Sequence, residues 1–115
     1  MKKVKIVIDK IALSSKKEDF EFELDEVFTI EDLKFNGVYF SLDGCDYTFS
    51  TTGTGIDDEE NEIQLIDLII EEILPVKLDF DYGEYGNLID NFEISGCTIT
   101  LIDEKDELIN QWENY

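Results

Sequence analysis

The sequence has neither arginine nor histidine, and all nine of its basic residues are lysine. Histidine is the usual general base of enzymes, and arginine is the side chain best suited to bind phosphate groups. Their absence argues against acid–base and nucleophilic catalysis and against direct binding of nucleic acid. The composition therefore predicts a non-catalytic protein that holds no cofactor.

Cysteine and long apolar runs are also scarce. Cys45 and Cys97 are able to pair, but free buried thiols in a reducing compartment are the expected state. The run from Val4 to Leu13 is interrupted by charged residues, so it does not resemble an export signal. No window approaches the ~18 apolar residues of a membrane-spanning helix. These absences predict a cytoplasmic protein that does not bind membranes.

The chain nevertheless has enough apolar residues to fold. It has 115 residues, of which 43% are hydrophobic and 12% aromatic, whereas disordered acidic tails contain few such residues. This length is typical of one domain, and a domain of this size folds without disulfide or metal support. We therefore expect residues 1–115 to form a single compact acidic domain.

Negative charge is in large excess. Twenty-nine acidic residues face nine lysines, which gives a formal net charge of −20, whereas roughly 2–8 charges suffice for solubility. The first seventeen residues carry six lysines and one aspartate (6 − 1 = +5), and residues 18–115 carry 3 − 28 = −25. A polarised molecule of this kind is steered toward a basic partner. Compositional drift in a low-GC genome is one alternative explanation, and adaptation to high salt is a weaker one.

Alternation of apolar and polar residues predicts a mainly antiparallel β-sheet of about six to eight strands. Asn36-Gly37 and Asp43-Gly44 are dipeptides that favour hairpin turns. Residues 29–35 and 107–112 are compatible with either a strand or a short helix. The predicted strands cover residues 4–8, 19–25, 38–42, 45–50, 76–82, 92–95 and 97–102.

One long α-helix is predicted over about residues 58–74. Acidic residues 57–60 match the positive end of a helix dipole, and Pro75 stops further propagation. Apolar residues cover most of the helix, which indicates packing on more than one side, or a face reserved for a dimer or partner contact. The predicted fold class is therefore α+β, an antiparallel sheet packed with one long helix.

A metal site is weighed and rejected. Four residues have the spacing of ligands in an EF-hand loop, namely Asp79, Asp81, Asn87 and Asp90. Glu84 occupies the position where that loop needs glycine, and strand-like periodicity rather than a helix precedes it. We expect no metal ion here, but a solvated strand face followed by a loop.

Regular rows of carboxylates are the main functional feature. Alternate residues of a strand lie on one face roughly 6.6 Å apart, and the phosphates of each DNA strand follow one another at about 3.4 Å along the axis. Carboxylate rows on a rigid sheet can therefore occupy a groove built for phosphates, with tyrosines as anchors. The candidate partner-binding residues are Asp19, Glu21, Glu23, Asp25, Asp57, Asp58, Glu59, Glu60, Asp79, Asp81, Tyr82, Glu84 and Tyr85.

These features predict an inhibitor that binds a basic nucleic-acid enzyme, such as a bacterial nuclease, by charge mimicry. In size and acidity the chain resembles anti-CRISPR and anti-restriction proteins of phages, and immunity proteins of nuclease toxins. The resemblance is one of physical type, since no motif identifies a family. The competing hypothesis is a structural or assembly protein that forms a homodimer, another homo-oligomer or a subunit of a larger complex.

Overall fold

The computed structural model describes residues 2–42, 47–81 and 92–114. Nine strands and one helical segment are present there, so the prediction of a mainly antiparallel sheet is confirmed, while the expected six to eight strands are too few. The strands are β1 (Lys2–Ser15), β2 (Glu21–Leu24), β3 (Phe28–Asn36), β4 (Tyr39–Ser41), β5 (Thr48–Ser50), β6 (Thr54–Ile56), β7 (Glu62–Gln64), β8 (Phe92–Asp103) and β9 (Leu108–Asn114). The helical segment comprises α1 (Leu65–Leu68), a π-helical turn (Ile69–Ile73) and α2 (Leu74–Asp81).

Strand β1 is the centre of the sheet, whose order is β7-β6-β5-β4-β3-β1-β8-β9 with every pairing antiparallel. One edge of β1 pairs with β8 from Val4 to Ser15. The other edge pairs with β3 over its first half and with β2 over its second half. The N-terminal lysines are therefore in the middle of the sheet.

A bulge in β1 and a matching irregularity in β8 bend the sheet. Ile6 and Ile8 precede the bulge, Ile11 and Leu13 follow it, and all four are fully buried. Ile8 and Ile11 are three residues apart, and in a regular strand such residues lie on opposite faces. An inserted residue, the bulge, is therefore needed to keep the two isoleucines on the same face. The register with β8 shifts at this point, and Lys10 has a positive φ of 50°. The bulge therefore lets one long strand line a curved core.

The sheet curls until its last strand reaches the turn between β5 and β6. Asn110 of β9 donates a hydrogen bond from Nδ2 to the carbonyl oxygen of Thr51 over 2.8 Å. Trp112 lies against Gly53, where an added Cβ would come within 2.9 Å of the indole ring. These contacts join two parts of the sheet that are distant in strand order, and they form a seam between β9 and residues 51–53.

The prediction of one continuous α-helix over residues 58–74 is wrong, because the helical structure starts later and is interrupted. Residues 57–61 form a turn and Glu62–Gln64 form β7, so helical structure begins only at Leu65. Neither α-helical piece exceeds eight residues. Pro75 does not end the segment, because it occupies the second position of α2 directly after the π-helical turn. A proline inside a helical segment removes one backbone hydrogen bond and crowds the preceding turn, and here that preceding turn is the π-helical one.

The strand predicted over residues 76–82 is also wrong, because α2 continues to Asp81. Leu74 and Leu78 are fully buried, whereas Val76 is 69% exposed. Burial at a spacing of four residues is the helical pattern, and it overrides the apparent alternation. Within the described residues, no helix is long and apolar enough to cross a membrane.

The two ambiguous segments are strands, since residues 29–35 lie in β3 and residues 108–112 in β9. Gly37 has a φ of 70° in the predicted turn between β3 and β4. The Asp43-Gly44 turn lies outside the described residues, although β4 and β5 on either side of it pair in register. The strands predicted at 92–95 and 97–102 are one strand, β8, with a register shift at Gly96.

Candidate functional site

Strand β2 carries the first predicted row of carboxylates. Glu21 and Glu23 are exposed, and the alternating Phe22 and Leu24 are partly buried, as the sequence pattern predicts. Asp19 precedes the strand in a turn and Asp25 follows it, and both are exposed. All four carboxylates of the row are therefore accessible, although β2 itself holds only two of them.

An ordered turn and an aromatic cluster fix β2 in place. The Ser15 hydroxyl accepts hydrogen bonds from the backbone N–H groups of Lys17 and Glu18 at 3.2 and 3.1 Å. Phe22 packs edge-on against Phe92 of β8 with ring centroids 5.1 Å apart. Because these rings pack on the inner face, the carboxylates on the outer face stand on a rigid support.

Glu93 of β8 joins the same outer face. Ser14 of β1 is in register with Glu21 on one side and with Glu93 on the other, so the three side chains project from one face of the sheet. Two strand spacings separate β2 from β8, which is roughly 9.6 Å. Glu21, Glu23 and Glu93 form what we call the acidic β2 face. Sequence reasoning missed Glu93, because its register with β1 spans most of the chain and leaves no local signal.

The second predicted group, residues 57–60, forms the turn between β6 and β7 instead of a helix start. The Asp57 carboxylate accepts hydrogen bonds from the backbone N–H groups of Glu59 and Asn61, both at 2.9 Å. The bond from the Asn61 backbone is the main reason that the pKa of Asp57 is lowered. Asp57 therefore holds the turn together, while Asp58, Glu59 and Glu60 are exposed around it.

The turn between β8 and β9 repeats this arrangement. Asp103 accepts hydrogen bonds from the backbone N–H groups of Lys105 and Glu107 at 2.8 and 2.9 Å. The fourth residue of each turn, Glu60 or Asp106, has a positive φ, of 64° and 61° respectively. Residues 57–60 and 103–106 thus form the same kind of tight turn, in which the carboxylate of the first aspartate accepts hydrogen bonds from backbone N–H groups.

The third predicted group does not form the expected row. Asp79 and Asp81 lie in α2, where residues two positions apart do not share a face. Tyr82, Glu84 and Tyr85 lie outside the described residues, as does most of the EF-hand-length segment. In the part of the chain that the structure describes, no group of three or more potential ligands is placed to hold a metal ion.

Two of the six N-terminal lysines have acidic neighbours. Lys5 forms a salt bridge with Asp106 over 3.2 Å. Lys3 and Lys5 line a shallow depression together with four acidic residues, Glu31, Asp103, Glu104 and Asp106. Pairing of β1 with β3 and β8 therefore brings acids of distant segments next to these two lysines.

Cys97 is a buried free thiol in the core, whereas Cys45 lies outside the described residues. Burial, with a smaller contribution from the charge of Asp9, raises the pKa of the Cys97 thiol to about 11. A nucleophilic cysteine needs the opposite shift. This environment makes Cys97 a packing residue.

Comparison of the chain with protein-family models, with curated proteins and with solved structures gives no match.

Proposed function

We propose that the protein acts as a single-domain, non-catalytic inhibitor in the cytoplasm, which binds a basic nucleic-acid enzyme through the acidic β2 face. The observation that carries the proposal is the pattern of exposed carboxylates on β2 and β8, the two strands that flank the second half of β1. Partners of this class present lysine and arginine side chains arranged for phosphates. A bacterial nuclease that is the target of a phage antagonist or an immunity protein fits this description.

The spacing of the face supports mimicry of a phosphate backbone. Glu21 and Glu23 follow one another along β2 at roughly 6.6 Å, and Glu93 lies roughly 9.6 Å across the sheet. The grooves of B-DNA that separate its two backbones are about 6 and 12 Å wide. The 9.6 Å separation across the sheet, roughly two strand spacings, lies between these two widths, so carboxylates on β2 and β8 can contact basic groups that otherwise contact both phosphate backbones.

The charge balance supports the same proposal. If each of the nine lysines neutralised one acid, twenty carboxylates would still lack a counter-charge (29 − 9 = 20). Residues 18–26 contain six acids and no lysine. A basic partner would relieve this repulsion, and long-range attraction would accelerate its association.

The assembly hypothesis loses its main support. It relied on a broadly apolar helix with a face left for a partner, but Leu65, Leu68, Ile69, Leu74 and Leu78 are buried in the core. Ile66, Ile70 and Ile73 pack against that core. Among the side chains described for residues 65–78 of the helical segment, the large apolar one that stays exposed is Val76. Sedimentation at several protein concentrations tests whether a homo-oligomer forms regardless.

The proposal is tested with two variants of equal charge. The face variant carries Glu21→Gln, Glu23→Gln and Glu93→Gln, and the control variant carries Asp67→Asn, Glu71→Gln and Glu113→Gln, three exposed acids of the helical segment and β9. Each variant has a net charge of −20 + 3 = −17. Immobilised wild-type protein is used to capture a basic nuclease from bacterial lysate, and inhibition of the purified nuclease is then titrated with all three proteins.

We expect the face variant to bind about thirtyfold more weakly. This figure corresponds to about 2 kcal/mol for three exposed charge pairs. The control variant should stay within about threefold of wild type, and duplex DNA should compete with wild-type binding. Equal weakening in both variants would show that only total charge matters, and failure to inhibit any captured nuclease would reject the proposal.

A further inference from the structure

A shallow trough runs over the outer face of β4, β5 and β6, away from the acidic β2 face. Tyr39 of β4 and Ile56 of β6 form its two sides and are 48% and 47% exposed. Thr48 of β5 lies between them and is in register with Ile56. The partner of Thr48 in β4 is Ser41, two residues beyond Tyr39. Two strand spacings combined with this two-residue step give a separation of roughly 12 Å between Tyr39 and Ile56, which accommodates one extended polypeptide segment.

The trough cannot be filled by an added strand. Strand β5 pairs with β4 on one side and with β6 on the other, so its backbone groups are already used. An occupant must therefore be held by side-chain contacts. Tyr39 offers an exposed aromatic ring, and Thr48 and Thr54 offer hydroxyl groups.

The negative charge around the trough favours a positively charged occupant. Among the described residues that line it, the charged one is Glu62, and the exposed acids of the β6–β7 turn, Asp58, Glu59 and Glu60, follow β6 directly. Phosphate groups are repelled from such a surface, which disfavours nucleic acid. Arginine side chains satisfy both features, because a guanidinium stacks on an aromatic face and also forms bidentate hydrogen bonds with a carboxylate. Glu62 of β7 lies three strand spacings across the sheet from Tyr39, roughly 14.4 Å, so two arginines of one segment are needed.

We propose that this trough binds an extended, arginine-containing segment of a basic protein, with guanidinium groups stacked on Tyr39 and paired with Glu62. The inference rests on the proposed function only for the source of the segment. The trough would give the protein a second contact with its partner, one that prefers arginine. Charge alone would not distinguish arginine from lysine on this surface.

The test uses a nonapeptide of alternating arginine and serine, with a lysine–serine peptide of the same charge as its counterpart. Calorimetry with the full-length protein at moderate salt should show the arginine peptide binding at least tenfold more tightly. Tyr39→Ala and Glu62→Gln should each weaken the arginine peptide about tenfold, whereas Tyr39→Phe should retain its affinity. Intrinsic Trp112 fluorescence checks that each variant is folded.

Two matched variants separate this site from general attraction. Val38→Ala removes an exposed apolar side chain beside Tyr39 that does not line the trough, and it should leave the affinity unchanged. The triple-amide variant of the acidic β2 face should stay within about threefold, whatever its effect on nuclease inhibition. Equal affinities for the two peptides, or an unchanged affinity in Tyr39→Ala, would overturn the inference without bearing on the β2 face.

Discussion

The seam between β9 and the β5–β6 turn is tested by comparing two glycines. Gly53 and Gly37 both have a positive φ, of 88° and 70°, so alanine at either position meets a similar backbone penalty. Their surroundings differ, because a Cβ at Gly53 would lie 2.9 Å from three atoms of the Trp112 indole, whereas no atom lies within 4 Å at Gly37. The pair therefore separates backbone strain from contact across the seam.

We expect Gly37→Ala to lower the free energy of unfolding by about 1 kcal/mol, the usual penalty of a left-handed residue with a side chain. Gly53→Ala should lower it by about 3 kcal/mol, since overpacking adds about 1–3 kcal/mol. Urea denaturation followed by circular dichroism, a probe that does not depend on Trp112, measures both values, and the difference of about 2 kcal/mol is the quantity of interest.

A double-mutant cycle completes this experiment. In a Trp112→Leu background the indole is absent, so Gly53→Ala should then cost about as much as Gly37→Ala. Equal destabilisation by the two glycine substitutions in the wild-type background would refute the inference that Trp112 closes the sheet against this turn.

Three further predictions concern single side chains. The neutral Cys97 thiol, with its pKa raised to about 11, contributes stability that is complete below pH 9 and lost as the pH rises to about 11. Wild type should therefore lose about 3 kcal/mol over that range relative to Cys97→Val, and urea titrations at several pH values measure it. The lowered pKa of Asp57 implies stability that is present above pH 3.8 and lost below it; Asp57→Asn should abolish this acid-dependent part, and an unchanged acid profile would count against the turn. Glu60→Gly should be about 1 kcal/mol more stable than Glu60→Ala, because only glycine accepts the positive φ without strain, and thermal unfolding of the two compares them at equal charge.

Local alternation in the sequence predicts strands well where one face is buried and the other is in water. Phe22 and Leu24 in β2 have the predicted environment. The alternation of Val76 and Leu78 misleads, because Leu74 supplies a four-residue period that the helical segment uses instead. Some short segments fit both the two-residue period of a strand and the period of a helix. Tertiary packing then decides which structure forms, and a single sequence does not reveal that packing.

The acidic β2 face is predictable only in part. Glu21 and Glu23 follow from the pattern of one strand, but Glu93 joins them through its register with β1, which depends on the topology of the whole sheet. Asp57 was predicted as part of an acidic helix start, and its hydrogen bonds to two backbone N–H groups show that a turn competes successfully for the same residues. Charge is visible in a sequence, whereas its arrangement in space is not.

The central position of β1 has a consequence for folding. Ile8 pairs with Ile99, a separation of 99 − 8 = 91 residues, so β1 stays open along one edge until β8 has joined the sheet. Sheets with such distant pairings fold slowly, and an unpaired apolar edge promotes association between chains. The net charge of −20 opposes that association during the slow phase. Added salt should therefore stabilise the native protein by screening its self-repulsion, and yet lower the yield of refolding, because the same screening removes the repulsion that keeps incomplete sheets apart.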